Sequence, residues 1–271
     1  AATTRTQTPA GPTTGPARRP ADLDGPAGVP VARLLRLESR KIVDTRSGRW
    51  LLVTIAALVA VSLGLVLRFG EPGDLTFGML VAVTSTVLLL LYPVLGILTV
   101  TAETSQRTAL VTYAVEPRRW RVVAAKILAA SWWAALGLAV AVALGAAAHG
   151  IAVHTRDVPA DWSPAWASLG GFALSLLLAV LQGIAFGLLL SSPALAVSAY
   201  FVLPIGWVFV ANLTPGLRRI GPWLDPSSSG ETLVQGTMTG TDWAHLATSN
   251  ALWVALPLVV GLAVLSRREV K

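Results

Sequence analysis

The lysines of this 271-residue chain are the first residues to inspect for chemistry, because a phosphate-binding loop needs a Gly-Lys step. None of Lys41, Lys126 and Lys271 follows a glycine. The chain therefore has no such loop and cannot hydrolyse ATP by that chemistry. Cysteine is absent from the sequence as well, which excludes disulfides, thiolate metal sites and a cysteine nucleophile.

The histidines and carboxylates do not converge on a reactive site. His149, His154 and His245 fall near the ends of apolar runs without the spacing of a zinc-binding helix, so we expect water-exposed histidines at a membrane interface. No Asp or Glu lies clearly inside an apolar run, and Glu103 comes nearest. Membrane enzymes and proton-driven transporters depend on buried ionisable groups. The sequence therefore predicts no catalytic residue, metal site or bound cofactor in this chain.

Uncharged polar residues do occur inside the apolar runs. They are Thr84, Ser85, Tyr92, Gln182 and Tyr200. These side chains could line a path for a substrate with polar groups. The alternative, which the residue types favour, is that they form hydrogen bonds between helices or to their own backbone.

The composition indicates an integral membrane protein. Hydrophobic residues make up 54% of the chain and charged residues only 13%, whereas a soluble domain carries about 25% charged residues. A soluble enzyme, a disordered chain and a disulfide scaffold are excluded on this basis. The net charge of +7 is explained by cytoplasmic loops, which accumulate Lys and Arg, so no nucleic-acid partner is expected.

Six apolar runs, each near the length of about 20 residues that a membrane span needs, predict an all-α fold with six transmembrane helices. The runs cover residues 50–67, 77–100, 122–148, 166–190, 194–211 and 246–265. Together they define a membrane domain over residues 50–271.

Two segments precede the first run. Residues 1–30 are rich in Ala, Thr, Pro and Gly, so we expect a disordered tail. Residues 31–49 place apolar side chains at helical spacing among arginines, which predicts an amphipathic helix on the anionic lipids of the inner leaflet. The alternative for this second segment is a solvated juxtamembrane helix.

The distribution of charge predicts the orientation. With the N-terminus inside, the outer loops hold only Arg68, Arg156, Arg218 and Arg219, while all other Lys and Arg of residues 31–271 face inward. Both termini are therefore expected in the cytoplasm, with a long outer loop over residues 212–243 whose re-entry into the membrane stays open. Few lysines among many arginines, with abundant Ala, Val and Gly, are typical of a GC-rich bacterial genome. We therefore expect the protein to lie in the plasma membrane of a bacterium.

The segment between the second and third runs has its own pattern. Thr108 can cap a short helix, and Pro117 disfavours helix at the residue before it and so ends that helix. The apolar stripe of the helix consists of Leu110, Val111, Ala114 and Val115. A short amphipathic helix in a cytoplasmic loop is suited to docking on another protein.

This segment resembles the membrane subunit of bacterial type 2 (ABC-2) ABC exporters, the drug-efflux permeases of actinobacteria among them. In that family a Glu ends the second span, a Thr opens a coupling helix, and a Pro, a basic-aromatic step and a Lys lead into the third span. The matching residues here are Glu103, Thr108, Pro117, Arg119-Trp120 and Lys126, with Arg107 where the family usually has Gly. The resemblance covers about residues 31–271.

The resemblance implies a permease that exports an amphiphilic or drug-like substrate. It implies a separate ATP-binding subunit, which holds the ATP and magnesium, and a second membrane subunit that is another copy or a homologue. The residues that would couple to the ATP-binding subunit are Glu103, Arg107, Thr108, Leu110, Val111, Ala114, Val115, Pro117 and Arg119. The alternative is a non-transporting anchor or assembly subunit of a larger membrane complex, which has no need of a docking helix.

The orientation can be tested with single cysteines, because the chain has none of its own. We expect Arg118→Cys and Arg268→Cys to react with an impermeant maleimide only from the cytoplasm. Asp157→Cys and Ser228→Cys should react only from outside. Labelling of the Asp157→Cys variant from inside would contradict the six-span arrangement.

Overall fold

The computed structural model describes residues 30–105, 118–163, 166–225 and 227–267. Over these residues the chain forms helices and no strand, and six helices are long and apolar enough to cross a membrane. The all-α class is thereby confirmed, and each of the six predicted spans falls within one of these helices. The tail predicted over residues 1–30 lies outside the described residues, except for Pro30.

Ten α-helices occur in the described part of the chain. They are α1 (Val31–Asp44), α2 (Arg46–Phe69), α3 (Phe77–Ser105), α4 (Arg119–Thr155), α5 (Trp166–Leu190), α6 (Pro193–Ala211), α7 (Pro215–Leu224), α8 (Gly230–Gln235), α9 (Gly240–Asn250) and α10 (Leu256–Arg267). A π-helical turn, Ala251–Ala255, joins α9 to α10, so that the sixth span runs continuously over Gly240–Arg267. A π turn is expected just ahead of Pro257, which has no N–H to continue the regular ladder.

The predicted spans differ from the helices mainly at their ends. The fourth run, 166–190, coincides with α5, whereas the third run, 122–148, is the apolar middle of the longer α4. With 37 residues at a rise of about 1.5 Å each, α4 exceeds the roughly 30 Å of a hydrocarbon core. Its ends therefore project beyond the apolar layer.

The junction between α1 and α2 is a single residue, Thr45. The Thr45 hydroxyl accepts a hydrogen bond from the backbone N–H of Gly48 at 3.2 Å and so caps α2. A Cβ on Gly48 would lie 1.9 Å from the carbonyl oxygen of Ile42. Residues 46–49, predicted as part of the amphipathic helix, consequently belong to the first span.

Helices α3 and α5 form the centre of the bundle. In their most apolar stretches 56% and 50% of the residues are buried, against 11% in α6. The two helices approach closely because Gly183 of α5 packs directly against the backbone of Pro93, and Gly96 of α3 packs against the backbone of Val180. Gly183 therefore serves packing between two helices of one chain.

At the end of the bundle opposite α1, the outer loop predicted over residues 212–243 is largely helical. It contains α7, α8 and the start of α9, and Leu233 of α8 is buried with its carbonyl against Gly171 of α5. The expectation for His149 at this end was wrong, because its side chain is 0% exposed. Its Nδ1 lies 2.9 Å from the carbonyl oxygen of Leu75, and Trp162 packs edge-on against its ring.

The contact between α3 and α5 can be tested by replacing Gly183 with alanine, which adds one methyl group. A Cβ on Gly183 would lie 2.2 Å from the carbonyl oxygen of Pro93. We expect Gly183→Ala to lower the free energy of unfolding by about 1–3 kcal/mol, because the backbones must separate. That cost exceeds the roughly 0.5–1 kcal/mol that alanine gains over glycine in a helix.

The matched control is Gly170→Ala in the same helix, where a Cβ meets nothing within 4 Å. It should leave the midpoint of thermal unfolding unchanged or raise it. Equal midpoints for the two variants would show that the α3–α5 contact is not tight.

Candidate functional site

Four charged residues from three helices meet at the α1 end of the bundle. Glu38 and Lys41 lie three residues apart on one face of α1, Glu103 lies near the end of α3, and Lys126 lies in the third turn of α4. We call these four residues the charge cluster. The cluster joins α1 to the end of the second span and the start of the third.

Each carboxylate of the charge cluster bridges both lysines. The Oε1 and Oε2 atoms of Glu38 lie 2.7 Å from the Nζ atoms of Lys41 and Lys126, respectively. The Oε1 atom of Glu103 lies 2.6 Å from the Nζ of Lys41 and 3.0 Å from that of Lys126. Among the described residues, two carboxylates and two ammonium groups are thus paired with one another.

Burial makes this pairing obligatory. The side chains of Glu38, Glu103 and Lys126 are only 6%, 8% and 3% exposed, respectively. A third oxygen, the backbone carbonyl of Thr99, lies 3.1 Å from the Lys126 Nζ. Every N–H of the Lys126 ammonium therefore has an oxygen within reach, which a buried charge requires.

Lys41 is the member of the cluster that meets water, with 42% of its side chain exposed. Burial by itself would lower the pKa of Lys41, but the carboxylates of Glu38 and Glu103 outweigh it and hold that pKa above its ordinary value of 10.5. Because the folded-state pKa is raised, the contribution of Lys41 to stability is complete below pH 10.5. It is lost as the pH rises through the raised pKa.

A second connection lies close to the charge cluster. The guanidinium of Arg119, at the start of α4, donates a hydrogen bond to the backbone carbonyl of Leu265 near the end of α10. Glu103 and Arg119 therefore hold the two sides of the segment 106–117 to other helices. The remaining predicted coupling residues lie outside the described residues; they are Arg107, Thr108, Leu110, Val111, Ala114, Val115 and Pro117.

The polar residues predicted to line one substrate path fall into two separate places. Thr84, Ser85 and Tyr92 are buried in the helix bundle. The Oγ1 of Thr84 lies 3.1 Å from the carbonyl oxygen of Ala141, which is a bond between helices, and the Tyr92 hydroxyl packs on Gly137 of the same helix, α4. Thr84 and Tyr92 therefore have packing roles. These two residues and Ser85 are not among the residues that line the cavity of Gln182 and Tyr200.

Gln182 and Tyr200 line a cavity of about 300 Å³ between α5, α6, α8 and α9. We call it the Gln182 cavity. The cavity lies on a different face of α5 from its contact with α3, because Gly183, which packs on Pro93, is turned by about 100° from Gln182. Two of the five predicted path residues thus share a cavity.

Glu38 is a member of the site that was not predicted from the sequence. Leu34, Glu38 and Ile42 are the buried residues of α1, and their spacing of four places them on one face. An acidic residue in the middle of an apolar stripe was the signal, because it needs a buried cation. The sequence could not show that two lysines from different helices meet it.

Comparisons with known proteins add no family assignment. No protein-family model matches the chain, and no curated protein matches it. Within the described ranges, no group of three or more His, Cys, Asp or Glu could hold a metal ion. The functional argument therefore depends on the charge cluster, the Gln182 cavity and the sequence pattern.

The charge cluster predicts a specific pattern of loss and rescue. We expect Lys126→Met to lower the free energy of unfolding by about 3–5 kcal/mol, because it leaves two buried carboxylates with one lysine. Adding Glu38→Gln should recover part of that loss, since it removes the surplus negative charge. Denaturant unfolding of the purified protein measures both effects.

The control is Arg40→Met on the exposed face of α1, which should change the stability by less than about 0.5 kcal/mol. If Lys126→Met were as mild as this control, or if Glu38→Gln worsened it further, the pairing described here would be wrong.

Proposed function

We propose that this chain is the membrane-spanning permease subunit of an ATP-driven ABC transporter, which exports an amphiphilic or drug-like substrate with a separate ATP-binding subunit. The observation that carries the proposal is the buried charge cluster beside the segment 106–117. This segment is the one whose sequence resembles a coupling helix. ATP and magnesium belong to the partner subunit, since no phosphate loop occurs in this sequence.

Coupling requires that a partner bound to the segment 106–117 can move the spans. The residues on both flanks of this segment contact other helices. Before it, Glu103 is paired with Lys41 and Lys126. After it, Arg119 donates a hydrogen bond near the end of the sixth span. Because separating buried opposite charges is costly, a displacement of the segment is delivered to α1, α3 and α4 together. A partner that binds the segment differently in its two nucleotide states would shift the permease between two conformations.

The remaining partners follow from the charges and the exposed apolar surface. Arg33, Arg36 and Arg40 are exposed on α1, as a helix resting on the anionic inner leaflet of a bacterial plasma membrane requires. Both termini then lie in the cytoplasm. Helix α6 exposes most of its apolar side chains, which supplies a face for lipid or for a second permease subunit.

The proposal predicts the effect of a charge in the coupling stripe. It also predicts that a neighbouring gene encodes the ATPase, and that the two chains purified together form a complex that hydrolyses ATP faster with substrate. Leu110→Asp or Val111→Asp would bury an unpaired charge at the contact, a cost of about 3 kcal/mol. We expect a roughly hundredfold loss of affinity for the ATPase, measured by titration in lipid nanodiscs.

The matched control is Thr237→Asp, an exposed position beyond α8 at the opposite end of the bundle, which should leave the affinity unchanged. The isolated chain should show no ATP hydrolysis. Parent-like affinity of the Leu110→Asp and Val111→Asp variants would contradict the coupling role. Hydrolysis by the clean isolated chain would contradict the whole proposal, and a complex without transport would favour the anchor or assembly alternative.

A further inference from the structure

The Gln182 cavity contains a polar group that packing alone does not satisfy. Gln182 is only 7% exposed, and its Nε2 atom has no hydrogen-bond partner among the described residues. A buried amide is ordinarily hydrogen-bonded, because leaving it unpaired forfeits its interaction with water. Gln182 lines a cavity of about 300 Å³, but its Nε2 atom is closed to solvent in this structure. A ligand in the cavity would supply the missing acceptor after a rotation of the side-chain amide, whose terminal torsion is broad.

The lining of the Gln182 cavity limits the chemistry of that ligand. Its polar residues are Ser175, Gln182, Tyr200, Ser227 and Asn250, and the others are aliphatic, aromatic, proline or glycine. No lining residue carries a charge, so neither an anion nor a cation would find a partner there. The surrounding apolar side chains favour a molecule with an apolar body over a cluster of water.

Two of the polar lining residues are already oriented. The ring of Tyr200 is held edge-on by Phe186 and Phe201, at centroid distances of 6.5 and 5.0 Å. The Nδ2 of Asn250 donates to the carbonyl oxygen of Leu246 at 2.8 Å. The Gln182 Nε2 is therefore the buried donor of the cavity that still lacks an acceptor.

We propose that the Gln182 cavity binds a neutral, largely apolar molecule whose carbonyl or ether oxygen accepts a hydrogen bond from the Gln182 Nε2. An apolar cavity of about 150 Å³ holds one benzene ring, so one twice as large has room for two rings. The identification of this ligand with the exported substrate rests on the proposed function. The binding of the ligand in the cavity is independent of the proposed function.

The test uses benzophenone, a neutral two-ring ketone that cross-links to its surroundings under light, with the purified chain in lipid nanodiscs. Diphenylmethane, which has the same rings and no oxygen, is the matched probe. We expect benzophenone to bind about tenfold more tightly than diphenylmethane, as a single buried hydrogen bond gives. Its cross-links should map by mass spectrometry to α5, α6, α8 and α9.

Gln182→Leu should abolish the difference between the two probes, because it removes the donor and keeps the size of the side chain. This variant should unfold at the same temperature as the parent or higher, since it removes an unpaired amide. Ala179→Phe, which fills the Gln182 cavity, should block both probes. Ala139→Phe, exposed on α4 and outside the cavity, is its control.

The proposal is overturned if benzophenone does not bind, if it labels elsewhere, or if Gln182→Leu leaves its advantage over diphenylmethane intact. These measurements need no ATPase. If benzophenone binds as expected but no ATPase forms a complex with the chain, the binding site stands and the transporter proposal is refuted. If the complex transports a substrate but benzophenone does not bind in the Gln182 cavity, the transporter proposal stands and the binding site is refuted.

Discussion

Two glutamates and two lysines meet at the α1 end of the helix bundle, and the positions of three helices depend on the pairing of their charges. Each carboxylate of the charge cluster contacts both ammonium groups, so removing any one group leaves a desolvated charge behind. Helix α1 is consequently fixed to α3 and α4 by charge as well as by the apolar packing of Leu34 and Ile42. What the sequence presents as a helix on the membrane surface is also a part of the bundle.

The charge cluster and the Gln182 cavity are linked by the two central helices. Helix α3 carries Glu103 at its end and, ten residues earlier, Pro93, whose backbone lies against Gly183. Gln182 directly precedes Gly183 and lines the cavity on a different face of α5. A shift of α3 at the charge cluster would thus press on α5 at the wall of the cavity. Bundles that transmit motion need such tight contacts, since loose packing would absorb the displacement.

The sequence predicted the spans well because length and hydropathy decide them, as α5 illustrates by coinciding with residues 166–190. It did not predict which polar groups meet, because that depends on how separate helices pack. Glu38 and Lys41 were read only as part of an amphipathic pattern, and His149 was expected in water although it is buried under Trp162. The helices within residues 212–243 were missed, since short helices interrupted by proline and glycine give a weak periodic signal.

The most direct test of the central claim is a distance measured during the ATP cycle. Spin labels on Arg36→Cys in α1 and Trp120→Cys in α4, both exposed positions, report whether the charge cluster holds these helices together. In the proposed complex with an ATP-binding subunit, pulsed electron paramagnetic resonance should give one narrow distance, the same with and without nucleotide, and a broad one when Lys126→Met is added. A distance that changes with nucleotide in the parent chain would contradict the account, because α1 and α4 would then move independently.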